Sequence, residues 1–192
     1  MIEGLYFHIP YCKQLCPYCD FPKYKLGKSL SFENYNDLLI REIDGFSDWL
    51  KSSKVRTIYF GGGTPSLFPI TEYRRLFDHL KRYIDLGPVE EITMEMDPDT
   101  FDLNFLRSVK ELGFNRCSLG VQSFDDKNLE QLGRTHRKKD ILKSIEWLSQ
   151  NDLAYSLDMI FALPNQNSDS LYEELVCYID SDAKHLSAYC LE

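Results

Sequence analysis

Residues 91–121 read Glu91-Ile92-Thr93-Met94-Glu95-Met96-Asp97-Pro98-Asp99-Thr100-Phe101-Asp102-Leu103-Asn104-Phe105-Leu106-Arg107-Ser108-Val109-Lys110-Glu111-Leu112-Gly113-Phe114-Asn115-Arg116-Cys117-Ser118-Leu119-Gly120-Val121. Two periodicities follow one another here. Glu91 to Met96 alternates apolar and polar residues at period two, which predicts a strand. Asp102 then stands as an N-cap before Leu103, Leu106, Val109 and Leu112, one apolar face at helical spacing. Gly113 sits where a left-handed C-cap belongs. Arg116 to Val121 returns to strand character. The stretch is a β-α-β unit, and such units build parallel sheets.

The same rhythm runs outward to both ends. Strands are expected near 5–9, 55–60, 91–96, 116–121, 154–161 and 185–191. Ser31 caps a helix over 32–50 with Leu39, Ile43, Phe46 and Leu50 on one face. Thr71 caps another, carrying Leu76, Leu80, Tyr83 and Ile84 and closed by Gly87. Helices over 139–150 (Ile141, Leu142, Ile145, Leu148) and 169–179 (Leu171, Leu175, Ile179) complete the alternation. No linker or low-complexity run divides the chain, so a single α/β domain over 1–192 is expected. At 192 residues the chain is short for a complete eight-stranded barrel, which takes about 250.

Strand parity sharpens this picture, because successive side chains face opposite sides of a sheet. Ile92, Met94 and Met96 oppose Thr93, Glu95 and Asp97. Cys117, Leu119 and Val121 oppose Arg116, Ser118 and Gln122. Leu157 and Met159 oppose Ser156 and Asp158. Tyr6 and His8 share one parity of the first strand. The apolar parity must face the helices. The polar parity then faces either the lumen of a wide or open barrel holding a polar ligand, or solvent beside a two-layer sheet.

Hydrophobic residues are 43% and charged residues 27%, a globular composition that excludes global disorder. The net charge of −8 leaves no footprint for nucleic acid or an anionic membrane. No apolar run is long enough to span a bilayer, and Met1-Ile2-Glu3-Gly4 does not open a signal peptide. The expected compartment is the cytoplasm.

Of six cysteines, Cys12, Cys16 and Cys19 fall within eight residues, in the loop after the first strand. In a reducing compartment such spacing points to a metal or to redox chemistry rather than to disulfides. Three thiolates can hold three corners of a [4Fe–4S] cluster and leave the fourth iron open. The alternative is a zinc site with a fourth ligand such as His8. Cys117, Cys177 and Cys190 have no spacing partners and read as buried structural thiols. Gly61-Gly62-Gly63-Thr64-Pro65 follows the second strand, at the C-terminal sheet edge where parallel α/β proteins bind ligands. Its spacing is not that of a P-loop.

Taken together, Cys-x3-Cys-x-Tyr-Cys and Gly-Gly-Gly-Thr-Pro resemble the radical S-adenosylmethionine (SAM) superfamily. Tyr6-x-His8-Ile9-Pro10-Tyr11-Cys12, Glu95-x-Asp97-Pro98, Gly120-Val121-Gln122-Ser123-Phe124, Leu132-Gly133-Arg134-Thr135-His136 and Asp158-x4-Leu163-Pro164 narrow it to the oxygen-independent coproporphyrinogen III oxidase-like group. The resemblance implies a partial (β/α)6 TIM-like barrel of parallel strands, open on one side. It implies a [4Fe–4S] cluster on Cys12, Cys16 and Cys19, with SAM on the open iron. One electron from the cluster would then cleave the sulfonium to a 5′-deoxyadenosyl radical.

By the same resemblance, Tyr6 lies near the SAM carboxylate and Tyr18 offers backbone groups to the adenine. Gly62, Gly63 and Thr64 line the methionine amino end. Glu95 and Arg134 make polar contacts to SAM, and Gln122 and Asp158 contact the ribose. Read without the resemblance, Glu95 could instead pair with Arg116, and Arg134 could belong to a solvated basic run with His136 to Lys139. No catalytic residue is assigned.

One position departs from the true coproporphyrinogen dehydrogenases. They carry a fourth cysteine two residues after the third, where this chain has Phe21. Cys-Pro-Tyr-Cys-Asp-Phe is similar instead to the heme chaperone subgroup, which implies heme binding, delivery to a respiratory protein, and an electron donor that the residues do not specify. The decarboxylase and a non-catalytic zinc module are the alternative readings. The His-Asn-x-x-Tyr-Trp heme motif of that subgroup does not occur here. The chain is therefore expected to be a truncated form or fragment without the C-terminal substrate or heme region.

Overall fold

The alternation read at residues 91–121 is realised along the whole chain. The computed structural model describes residues 2–191; Met1 and Glu192, the two ends of the expected 1–192 domain, lie outside the described residues. The elements are β1 (Gly4–Ile9), β2 (Tyr11–Cys12), β3 (Tyr24–Lys25), α1 (Phe32–Gly45), α2 (Ser47–Lys51), β4 (Thr57–Gly62), α3 (Ile70–Leu80), β5 (Glu91–Met96), α4 (Leu103–Glu111), β6 (Arg116–Gln122), α5 (Asp126–Gln131), α6 (Lys138–Gln150), β7 (Ala154–Phe161), α7 (Ser168–Ile179) and β8 (His185–Cys190). Six strands form one sheet in the order β1-β4-β5-β6-β7-β8, with every neighbour parallel. Among the described residues β1 and β8 do not pair with one another, so the sheet is the partial barrel expected, open on one side. The tiny β2–β3 pair lies apart from it, in the cysteine segment.

The two faces of the sheet differ as the parity predicts. On the helix side Phe60, Met94, Cys117, Leu119 and Leu157 are buried against Leu76, Leu106, Val109, Ile141 and Leu148. On the other side Thr93 and Ser156 are fully buried yet polar, and they are satisfied by neighbours. Arg116 donates to Ser156 Oγ at 2.9 Å, Ser156 and Ser118 lie 3.1 Å apart, and Ser118 Oγ reaches both carboxylate oxygens of Asp158 at 3.1 Å. Buried polar groups need such partners. This side is thus a polar lumen rather than the apolar filling of a closed barrel.

Several local expectations shift. The helix expected over 32–50 breaks after Gly45, a weak helix former, where Phe46 adopts φ −100° and ψ 8°. Phe46 consequently leaves the buried face and packs beside exposed Trp49. Pro69, not Thr71, is the N-cap of α3; its carbonyl accepts from Glu72 and Tyr73. α3 ends at Leu80, so Gly87 does not close it. Asp102 and Gly113 behave as expected: Asp102 Oδ1 accepts from Phe105 N at 2.8 Å, and Gly113 has φ +101°.

In α6, Leu142 is exposed while Ile141, Ile145 and Leu148 are buried. In α7 the buried stripe is Glu174 and Tyr178, and Ile179 is 76% exposed. The helix is turned by the Tyr178 ring, which meets Phe124 edge-on at 4.8 Å, and by Glu174, which accepts from Phe124 N and Asn128. Of the three scattered thiols only Cys117 is buried; Cys177 is half-buried and Cys190 is exposed on β8, which has one neighbouring strand among the described residues.

Candidate functional site

The C-terminal ends of the strands converge on a cavity of about 420 Å³. Tyr18, Cys19, Gly62, Gly63, Thr64, Glu95, Gln122, Arg134 and Asp158 all line it. Tyr6, Cys12 and Cys16 do not line it but adjoin it. Tyr6 stacks on Tyr59 at 5.8 Å, and Tyr59 donates to Glu95 Oε1 at 2.8 Å. Burial pushes the Cys12 thiol up to about 11, against a hydrogen bond with Thr64 and with the negative charge of Asp97 nearby. Cys16 Sγ lies 3.7 Å from Arg134 Nη1.

The glycine run is shaped by close approach. Gly62 has φ +112°, and a Cβ there would meet the His8 ring at 2.4 Å; one at Gly63 would meet the Tyr11 carbonyl at 2.7 Å. Only glycine allows both contacts. The N–H groups of the run are engaged: Gly62 donates to Glu95 Oε2 at 2.9 Å, Gly63 to Ile9 and Thr64 to Tyr11.

Glu95 does not pair with Arg116. Tyr59 and Gly62 hold it, while Arg116 turns to Ser156 and lies 3.9 Å from Glu91. Burial raises the Glu95 pKa above the usual carboxylate value, against the pull of its two donors. Arg134 is not part of a solvated run either. Its side chain is only 10% exposed and ion-paired with Asp97, and it donates to the Gly120 carbonyl at 3.2 Å. Burial opposes its charge, but Asp97, Tyr18 and Cys16 together outweigh that and hold it firmly cationic. His136 is likewise buried, with Nε2 3.1 Å from the Val121 carbonyl.

Asp97, which stands in Glu95-x-Asp97-Pro98, joins the candidate site, and no local pattern singles it out. It lines the cavity and accepts from Thr64 Oγ1 at 3.1 Å. Ser118 and Gly120 also line it. Their signal was the polar parity of β6, which reads through to Gln122. Gln122 itself adopts φ +68°, at a register shift between β6 and β7.

Burial pushes the Asp158 carboxyl up to about 6, against hydrogen bonds from Ser187 and Ser118. A native pKa above the unfolded value means that folding favours the protonated form. That stabilisation is complete at low pH and is lost as pH rises from the unfolded pKa, near 4, through about 6. At 1.36 kcal/mol per pKa unit, the Asp158→Asn variant is expected to be about 1–3 kcal/mol more stable than the parent at pH 7 and little different at pH 4. Urea unfolding at both pH values checks this. A stability gain that is the same at both would show that Asp158 is not the titrating group.

The donor set at the loop is three thiols with one imidazole nearby. Among the described residues, no three His, Cys, Asp or Glu side chains converge as they would around a single ion. His8, the fourth zinc ligand considered from the sequence, has Nε2 2.7 Å from the Pro22 carbonyl and Nδ1 3.4 Å from the Tyr6 hydroxyl. Thiols that each take a different iron of a cube need not converge on one point. The three-cysteine loop beside the polar cavity fits a cluster with a ligand on its open corner.

The radical SAM superfamily model matches residues 6–175. The chain belongs to the radical SAM superfamily. Membership implies a [4Fe–4S] cluster and SAM. Among relatives, the heme chaperone HemW of Synechocystis sp. is 39% identical over all of this chain and 47% of its own length. HemW of Escherichia coli is 35% identical over 98% of this chain and 50% of its own. The chain thus spans about half the length of the curated relatives it matches. Coproporphyrinogen III oxidase (HemN) from Escherichia coli superposes with a TM-score of 0.91 at 26% identity, over 99% of this chain and 44% of that one. Among the described residues no helix is long and apolar enough to cross a membrane.

Proposed function

We propose that residues 1–192 are the cofactor-binding core of a cytoplasmic heme chaperone, in which Cys12, Cys16 and Cys19 hold a [4Fe–4S] cluster and the adjoining cavity holds SAM. The observation that carries this reading is the convergence of the cysteine loop, the glycine run and the polar strand ends on one cavity. The likeness to proteins named heme chaperone HemW supports it. The same reading takes heme as the cargo, a respiratory protein as its recipient and a separate electron donor for the cluster.

When bound, the cluster supplies an open iron and one electron, and SAM supplies the sulfonium that takes it. The chain's own residues bind and orient. With the N–H groups of Gly62, Gly63 and Thr64 engaged, what the run offers is carbonyl oxygens, the complement of an ammonium. Arg134 presents the positive charge that a carboxylate needs, with Tyr6 nearby. Asp158 is largely ionised at neutral pH and accepts from ribose hydroxyls, and Gln122 can both donate and accept. Tyr18, packed on Leu132, Ile160 and Leu163, walls the adenine side.

Phe21 lines the cavity and is 64% exposed. It places an aromatic ring where the decarboxylases of the group have a thiol, which favours the chaperone over porphyrinogen decarboxylation.

Anaerobic reconstitution with iron and sulfide tests the core of this reading. A coloured protein that binds SAM in a titration is expected. A colourless product holding about one zinc per chain would refute it. The full protein is expected to bind heme without turning over coproporphyrinogen III, and turnover would move the assignment to the decarboxylase.

A further inference from the structure

Arg134 faces two ways. One nitrogen, Nη2, is ion-paired with Asp97 and bonded to the Gly120 carbonyl. The other, Nη1, points at Cys16 Sγ from 3.7 Å, within reach of a hydrogen bond to the large sulfur atom. The guanidinium is fixed from behind. Asp97 is itself held by Thr64 Oγ1 at 3.1 Å, and the Arg134 amide donates to the Leu129 carbonyl at 2.8 Å, at the end of α5. The preceding Gly133 has φ +71° and passes so close to Pro17 of the cysteine loop that a Cβ would lie 3.0 Å from the proline ring. The arginine and the loop are therefore held together by backbone packing as well as by charge. A planar guanidinium can serve a carboxylate and a sulfur at once; an ammonium is a point charge without that fork.

We propose that Arg134 is a positioning residue that sets the reduction potential of the cluster by hydrogen-bonding to Cys16, with Asp97 holding it in that pose. This role rests on the cluster reading above and is separate from any contact to SAM. The step concerned is the addition of one electron to the cluster from a low-potential one-electron donor, with no bond made or broken. The added negative charge spreads onto the sulfurs, and a charge-assisted hydrogen bond to one of them favours the reduced state. The arginine therefore makes the cluster easier to reduce.

The test is a potentiometric titration of the anaerobically reconstituted protein without SAM, so that no SAM contact contributes. At a fixed potential, Arg134→Met is expected to lower the reduced-to-oxidised ratio about tenfold, which is about 59 mV for one electron. Arg134→Lys keeps the charge but loses the fork and is expected to shift the same way. It carries the test alone if Arg134→Met does not assemble a cluster. An unchanged SAM-free midpoint in Arg134→Lys overturns the proposal, and so does an unchanged midpoint with weakened SAM binding in Arg134→Met. A parent protein that takes up no iron and sulfide overturns the cluster reading itself, a result distinct from either.

Discussion

Alanine at Cys12, Cys16 or Cys19 is expected to leave the reconstituted protein without a cluster. Each thiolate holds one iron, and with two left the cube has lost a corner of its attachment. Losing an outer-shell partner alone typically costs a metal site about 10–100-fold in affinity, so loss of a direct ligand should exceed that. Iron, sulfide and visible absorbance per chain should all fall to background. Cys177→Ala is one control, since its thiol is half-buried beside Lys138 Nζ, away from the cavity. Cys190→Ala is the more demanding one. That thiol is exposed and lines the same cavity from β8, so it is the natural rival for a ligand role. Retention of iron in Cys190→Ala with loss in the other three would establish the ligand set. Equal loss in all of them would refute it.

Phe60→Ala should be among the most destabilising single changes in the chain, costing about 3–5 kcal/mol. The ring is fully buried and stacks on Phe7 at 4.9 Å. Tyr73 at 5.2 Å, Phe114 at 5.3 Å and Phe77 at 5.7 Å surround it. It therefore ties β1, β4, α3 and the approach to β6 into one aromatic cluster. Domains of this size are stable by only about 5–15 kcal/mol, so the loss is a large share of the total. Because β4 runs directly into the glycine run, the cavity wall should loosen with it. Phe46→Ala removes the same atoms from an exposed position and should stay within about 0.5 kcal/mol of the parent. Chemical unfolding followed by circular dichroism compares the two, and similar losses would contradict the packing described.

What could be read from residues alone was whatever repeats or alternates. Period-two parity placed Glu95, Gln122 and Asp158 on the polar side of the sheet, and the structure brings them to one cavity. Capping residues gave Asp102 and Gly113 correctly. The misses were residues governed by a partner distant in sequence. Ile179 fits an apolar stripe with Leu171 and Leu175, yet Tyr178 wins the buried position because Phe124 lies 54 positions away in the chain and next to it in space. Arg134 and His136 look like part of a solvated basic run until Asp97 and the Val121 carbonyl are seen beside them. Asp97 sat in view within a motif, but its role depends on Thr64 and Arg134, and no local pattern links those three. The six-residue α5 was missed because it is too short for helical periodicity to show.

The sheet that frames the cavity is not equally firm across its width. β4, β5 and β6 each have a strand on both sides and a continuous apolar layer behind them, so the glycine run, Glu95 and Gln122 stand on a stiff wall. Among the described residues β8 is paired on one side only, and Leu186 and Tyr189 are exposed. Tyr189 and Cys190 of β8, with Leu191 just after it, line the same cavity. The cavity is therefore walled by strands of unequal support: the glycine run, Glu95 and Gln122 stand on strands flanked on both sides, whereas β1, which leads into the cysteine loop, and β8 are each flanked on one side among the described residues.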